Sequence, residues 1–130
     1  MARTPQGLRI KVASKRKVGM LIPDQIEILL CTEAIDMRKG ADGLAGLVRD
    51  VLQDEPLARK LFVFQGKRKD RVKILYWHYN GFAVWSKRIQ SGKFNFPSGT
   101  GGVTLRRSAL RMILEGVDLK SLRHQSDRIA

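Results

Sequence analysis

The dipeptide Asn80-Gly81 constrains the fold of this chain more than any other feature, because it separates two stretches rich in aromatic and branched residues. Asn-Gly favours the left-handed backbone of a two-residue β-turn, and stretches of this kind on both sides are typical of paired strands. The sequence therefore predicts a β-hairpin with strands over residues 71–79 and 82–90.

Two registers fit this hairpin. A two-residue turn places Lys73 directly opposite Arg88, with Arg71 diagonal to them, whereas a three-residue loop with a bulge at Gly81 pairs these cations differently. In both registers the basic residues gather at the end of the sheet away from the turn, because they lie far from it along both strands. We therefore predict a phosphate-binding surface there, formed by Lys67, Arg68, Lys69, Arg71, Lys73, Lys87, Arg88 and Lys93.

Other apolar stretches predict strands over residues 26–31 and 61–65, and a short edge strand over 93–97. The glycine-rich residues 98–102 are interpreted as a flexible linker. Together these patterns predict an α+β fold, an antiparallel β-meander of about four to five strands with two main helices packed on one side.

The first helix is predicted within residues 37–53, where apolar residues have helical spacing. Glycines weaken this helix, so a loop up to Gly43 with the helix beginning near Asp42 is the alternative. The second helix is predicted to begin at Thr104, as its N-cap, and to end at Gly116.

The chain is expected to form one domain over residues 20–118. Residues 1–19 form a basic, flexible arm in this interpretation, or lie outside the native product if translation starts at Met20. Residues 119–130 are expected to be a polar tail.

Charge is the strongest compositional signal, with 25 Lys and Arg against 12 Asp and Glu, a net charge of +13 and a pI near 10.6. The acids are concentrated in residues 21–56, and the cations lie mainly on either side of that segment. Blocks of cations with a pI above about 9 are typical of nucleic-acid-binding proteins. The second predicted helix adds three arginines to the expected phosphate contacts, namely Arg106, Arg107 and Arg111.

Several classes of protein are disfavoured. No apolar stretch approaches the ~20 residues of a membrane span, and no apolar region follows the first basic residues as in a secretory signal. A single cysteine, Cys31, excludes an internal disulfide, and His78 and His124 are the only histidines. We expect a cytoplasmic protein without a metal or cofactor.

The motif Asp36-Met37-Arg38-Lys39-Gly40, with Asp42-Gly43-Leu44-Ala45 and the stretches 61–77, 80–82, 87–97 and 114–118, resembles the accessory protein of the insertion sequence 66 transposon family. That protein is often called TnpB and differs from the RNA-guided nuclease of the same label. The resemblance spans about residues 20–118. This chain departs from the family pattern at His78 and Gln90, where acidic residues are common.

The resemblance implies a bacterial mobile-element protein that is encoded beside a separate transposase and required with it for transposition. It assigns no role to the motif residues Asp36, Arg38, Lys39, Gly40, Asp70 and Trp77. From the residue pattern, Trp77 is favoured as a core residue, Asp36 as a helix cap, and Asp70 as a turn cap or a partner of Arg71.

Three functions are therefore considered. The first is a non-catalytic accessory factor that binds DNA at transposon ends through the basic hairpin surface. The second is an adaptor that docks the transposase, through the same surface or through residues 21–56, without contacting DNA. The third and least favoured is a metal-dependent nuclease using Asp36 or Asp70 with Lys73, because such chemistry needs several carboxylates that share cations.

Overall fold

The computed structural model describes Ile22 and residues 25–116, so the predicted arm and tail lie outside the described residues. This part of the chain forms five strands in one sheet and two helices. No helix in it has the length and apolar content needed to cross a membrane. The elements are β1 (Glu27–Ile35), α1 (Ala41–Asp50), β2 (Lys60–Gly66), β3 (Arg71–His78), β4 (Gly81–Arg88), β5 (Gly102–Leu105) and α2 (Arg107–Leu114).

The sheet has the strand order β4-β3-β2-β1-β5, and the predicted α+β class is confirmed. All neighbouring strands are antiparallel except β1 and β2, which are parallel. The parallel pair arises because α1 lies between β1 and β2 in the sequence. The helix carries the chain back to the end of the sheet where β1 began, so β2 runs in the same direction as β1.

The helices pack on opposite faces of the sheet, so the prediction that both lie on one side is wrong. Central strand β2 explains this, because its side chains alternate between two cores. Phe62 and Phe64 pack with α1 residues such as Leu44, whereas Leu61 and Val63 pack with α2 residues such as Leu110, Ile113 and Leu114. A strand apolar on both faces needs a cover on each.

The helix boundaries follow the alternative with a loop before the first helix. Gly40 is the N-cap of α1, close to the predicted start near Asp42. Thr104 does not cap α2 but lies in β5, and Arg106 is the N-cap. Residues 93–97 form no strand, although Phe94 is fully buried among the α2-side residues.

Strand β1 contains an irregularity in its pairing with β2 between Leu30 and Ala34. Gln65 is the one buried polar side chain of the described residues, and it hydrogen-bonds to the backbone of β1 at this irregularity. Its Nε2 donates to the carbonyl oxygens of Cys31 at 3.4 Å and Thr32 at 3.3 Å. Cys31 is itself a small buried core residue, and burial raises the pKa of its thiol.

Candidate nucleic-acid interface

The hairpin turn is formed by Tyr79 and Asn80, since His78 pairs with Gly81. Tyr79 adopts the left-handed conformation, with φ of 60°. The register therefore differs by two residues from the one expected for a turn at Asn80-Gly81. A shift of two residues leaves every side chain on its predicted face, because the side-chain period of a strand is two.

The two-residue shift changes which cations face each other. Arg71 lies directly opposite Arg88, and Lys73 lies opposite Ser86. The predicted pairing of Lys73 with Arg88 is therefore wrong. The like-charged pair across the ladder is formed by two arginines instead.

The predicted gathering of hairpin cations at one end of the sheet is confirmed in position. We call this the basic end, formed by residues 67–70, the start of β3, the end of β4 and the loop 36–40. The exposed cations of residues 67–70, β3 and β4 at this end are Lys67, Arg68, Lys69, Arg71 and Arg88, and within the described residues none of them forms an ion pair.

Lys93 belongs to the same end, because the chain after β4 returns to the basic turn. The amide of Ile89 donates to the carbonyl of Asp70 at 3.0 Å, and the amide of Phe94 donates to the carbonyl of Lys69 at 2.7 Å. Lys93, which precedes Phe94, is exposed.

Lys73 and Lys87 are half-buried and have structural partners. The ammonium of Lys73 donates to the carbonyl of Lys39 at 2.8 Å, on the α1 face. The ammonium of Lys87 donates to the carbonyl of Leu114 at 2.7 Å, where its charge complements the C-terminal end of α2. Both lysines add positive charge to the basic end, but their positions are set by these contacts.

The loop 36–40 forms one wall of the basic end. The carboxylate of Asp36 accepts the amide of Arg38 at 2.9 Å and its guanidinium at 2.7 Å. The hydrogen bonds from Arg38 hold the pKa of Asp36 well below its usual range. Asp36 thus caps the turn before α1, while Gly40 takes the helix N-cap position that had been expected for Asp36.

Met37 separates two open clefts at the basic end. Its side chain lies over Gly66, where an added Cβ would stand 2.6 Å from the Met37 Cγ. The smaller cleft, about 360 Å³, is lined by Met37, Arg71, Val72, Lys73, Ser86, Lys87 and Arg88. The larger, about 570 Å³, is lined by residues 34–38, 66–68, Asp70 and Arg71.

Sequence reasoning missed Met37, Gly66 and Ser86 as parts of this site. No pattern in the sequence links Met37 to Gly66, because the contact joins a loop to the end of a strand that follows much later. Ser86 would have been placed beside the arginines only with the correct register.

Two of the three arginines predicted in the second helix, Arg106 and Arg107, lie elsewhere. Strand β5 is antiparallel to β1 and ends at the end of the sheet opposite the basic end, so Arg106 and Arg107 are found there. The guanidinium of Arg107 donates to the carbonyl of Ile22 at 3.0 Å. Arg106 and Arg111 are exposed. The structure therefore does not join Arg106 and Arg107 to the basic end, whereas Arg111 lies one helical turn before Leu114, whose carbonyl accepts the Lys87 ammonium.

Trp77 and Asp70 differ from expectation. Trp77 is 37% exposed near the hairpin turn and packs edge-on against Phe82, with ring centroids 5.1 Å apart. It lies six residues from Arg71, or about 20 Å along the strand. The Asp70 carboxylate forms no ion pair among the described residues, so the expected pair with Arg71 is not present.

Asp36 and Asp70, the carboxylates named for metal binding, both line the larger cleft. Asp36 is already engaged by Arg38. Among the described residues no group of three or more His, Cys, Asp or Glu side chains is placed to hold a metal ion.

Comparison with known proteins gives consistent matches. A family model described as IS66 Orf2 like protein matches residues 26–124. Two uncharacterized proteins of Sinorhizobium fredii, y4jC and y4hO, are each 33% identical over 94 residues, which is 72% of this chain and 80% and 82% of theirs. No solved structure matches the chain significantly.

Proposed function

The chain belongs to the IS66 Orf2-like family, and from this membership we propose that it is a non-catalytic accessory factor of DNA transposition that binds DNA through the basic end. The family links the chain to transposition by an insertion sequence. The DNA contact, its place at transposon ends and a partnership with the cognate transposase are parts of the proposal.

One observation carries the DNA contact: six exposed cations at one end of the sheet, Lys93 included, have no ion-pair partner among the described residues. Lys and Arg side chains in such clusters release counterions when they neutralise phosphates, and this release drives sequence-independent binding. The basic turn and the two flanking clefts present these side chains together.

The proposed contact is with phosphates rather than with stacked bases. The aromatic side chains most exposed in the described residues are Tyr79, at 88%, and Trp77, and both lie near the hairpin turn at the other end of β3. Binding of unpaired bases uses aromatic platforms beside the basic groove. We therefore expect duplex DNA of unrelated sequence to compete for the basic end.

A salt titration of binding to transposon-end duplex tests this proposal. We expect the logarithm of the affinity to fall linearly with the logarithm of salt concentration. In Lys69→Ala/Arg71→Ala this dependence should become shallower, with the magnitude of the slope reduced by about 1–2. Arg59→Ala is a matched control, because Arg59 is exposed just before β2 at the opposite end. Absence of binding at about 50 mM salt would contradict the proposal.

A transposase adaptor is the second candidate function. The observation that favours it is the exposed apolar group near the hairpin turn, where Trp77, Tyr79 and Val84 accompany edge strand β4. Exposed apolar side chains beside an unpaired strand edge suit a protein partner. Co-purification with transposase in the absence of DNA, together with no salt-dependent DNA binding, would favour the adaptor.

A further inference from the structure

We propose, resting on the DNA-binding function above, that Arg71 and Arg88 form a clamp for a single backbone phosphate in the smaller cleft beside Met37. The chemistry recognised is a tetrahedral phosphate oxyanion. Its proposed source is the phosphodiester backbone of DNA, and free phosphate serves as the small-molecule probe.

The register places the two guanidinium groups on the same face of the sheet. Arg71 and Arg88 are directly opposite across β3 and β4, so their Cα atoms are about 4.5–5.5 Å apart. Both side chains are exposed, and neither pairs with a carboxylate within the described residues. A planar guanidinium donates two parallel hydrogen bonds to a phosphate, so two of them can hold one phosphate from both sides.

The cleft supplies further groups suited to an oxyanion. Lys73 and Ser86 form the next pair on the same face, directly beside the two arginines. The hydrogen bond of Lys73 to the Lys39 carbonyl, 2.8 Å long, holds its charge at the cleft wall. Met37 closes one side, held in place over Gly66.

The clamp has an energetic signature in the free protein. Like charges directly opposite in an antiparallel pair are destabilising. A phosphate between the arginines removes this repulsion, so the ligand-free protein is less stable than a variant that lacks one of the charges. Stability and binding then change in opposite directions at Arg88, which a purely structural arginine would not do.

The first experiment compares melting temperatures in sodium chloride and sodium phosphate of equal ionic strength. Wild type should gain about 2–5 °C in phosphate. Arg88→Gln should melt about 1–5 °C above wild type in chloride and lose the gain from phosphate. Arg59→Gln, the control at the opposite end, should keep that gain. Arg88→Lys should keep the charge and lose most of the gain, because an ammonium cannot donate two parallel hydrogen bonds to one phosphate.

The clamp is overturned if wild type gains nothing from phosphate beyond chloride, or if Arg88→Gln keeps the full gain. The second experiment separates this outcome from failure of DNA binding. In a salt titration with duplex DNA, Arg88→Gln should reduce the magnitude of the slope of log affinity against log salt concentration by about 0.9. A phosphate gain without DNA binding would refute the proposed function and retain the clamp as a phosphate site. DNA binding with an unchanged slope in Arg71→Gln and Arg88→Gln would refute the clamp alone.

Discussion

The two ends of the sheet both carry lysine and arginine side chains, but they differ in how many carboxylates pair with them. At the end where β2 begins, the Lys60 ammonium contacts Asp54 at 2.6 Å and Glu27 at 3.6 Å. At the basic end, Arg38 pairs with Asp36, but the exposed cations of the turn 67–70, β3 and β4 form no ion pair among the described residues. Lys60 therefore stabilises the fold through its carboxylate partners, whereas the unpaired cations of the basic end remain available to a ligand.

Chain topology produces this difference. Asp50 ends α1, and Asp54 and Glu55 follow it where the chain returns to the start of β2. Because β1 and β2 are parallel, that point lies at the opposite end from the basic turn. Asp50, Asp54 and Glu55 are therefore kept away from the cations of the hairpin, whereas Asp36, paired with Arg38, and Asp42, in the first turn of α1, lie near the basic end.

Charge reversal at the basic end should give the largest effect. Lys69→Glu/Arg71→Glu is expected to weaken binding to duplex DNA on the order of hundredfold near physiological salt, because two phosphate contacts become repulsive. Electrophoretic mobility shift or fluorescence anisotropy measures the loss. Arg59→Glu at the opposite end should leave affinity within about threefold of wild type, since it lies outside the proposed contact surface. Equal losses in both variants would mean that the two ends do not differ in function.

Removal of the buried amide should give the next largest effect. Gln65→Leu leaves the carbonyl groups of Cys31 and Thr32 without this donor, and we expect the free energy of unfolding to fall by about 1–3 kcal/mol. Urea denaturation followed by circular dichroism measures the change. An unchanged midpoint would show that the irregularity in β1 does not depend on Gln65.

Disturbing the contact between Met37 and Gly66 should give a smaller effect on stability. Gly66→Ala forces the Met37 side chain to move, at an expected cost of about 1 kcal/mol. Met37→Ala/Gly66→Ala should recover part of this loss, since the clashing atoms are removed. Denaturation of both variants checks the contact, and equal stability of the single and double variants would contradict it.

The ion pair at the opposite end should give the smallest effect, and one that depends on pH. Hydrogen bonding to Lys60 lowers the pKa of Asp54, so this contribution is present above about pH 4 and lost as pH falls through the folded-state pKa. Hydrogen bonding to Asp54 raises the pKa of Lys60, so its contribution is present below about pH 10 and lost as pH rises through its folded-state pKa.

Asp54→Asn should therefore destabilise the protein by about 0.5–1 kcal/mol near pH 7, and by less outside that window. Denaturation at several pH values measures this dependence. Glu33→Gln is the matched control, because Glu33 is exposed in β1 and forms no ion pair within the described residues. A pH-independent difference would show that Asp54 acts through something other than its charge.

The sequence predicted the hairpin and the end of the sheet where its cations gather, but not its register. Burial of Ile74 on one face and Leu75 on the other requires the correct alternation, and a shift of two residues preserves it. The turn at Tyr79 and Asn80 was not predicted, because the Asn-Gly signal favours a turn one residue later. The opposed Arg71 and Arg88 therefore became visible only in the folded sheet.

The sequence by itself determined the net positive charge, its division into basic and acidic segments, the hairpin and the family motifs. These features depend only on residue types and short spacings along the chain. The tertiary structure decided which cations have partners, because that depends on the parallel β1–β2 crossover. It also placed the helices on opposite faces, and Arg106 and Arg107 at the start of α2 away from the hairpin cations. Contacts between residues distant in the chain, such as Met37 over Gly66 and Lys73 with Lys39, depend on packing that local patterns do not encode.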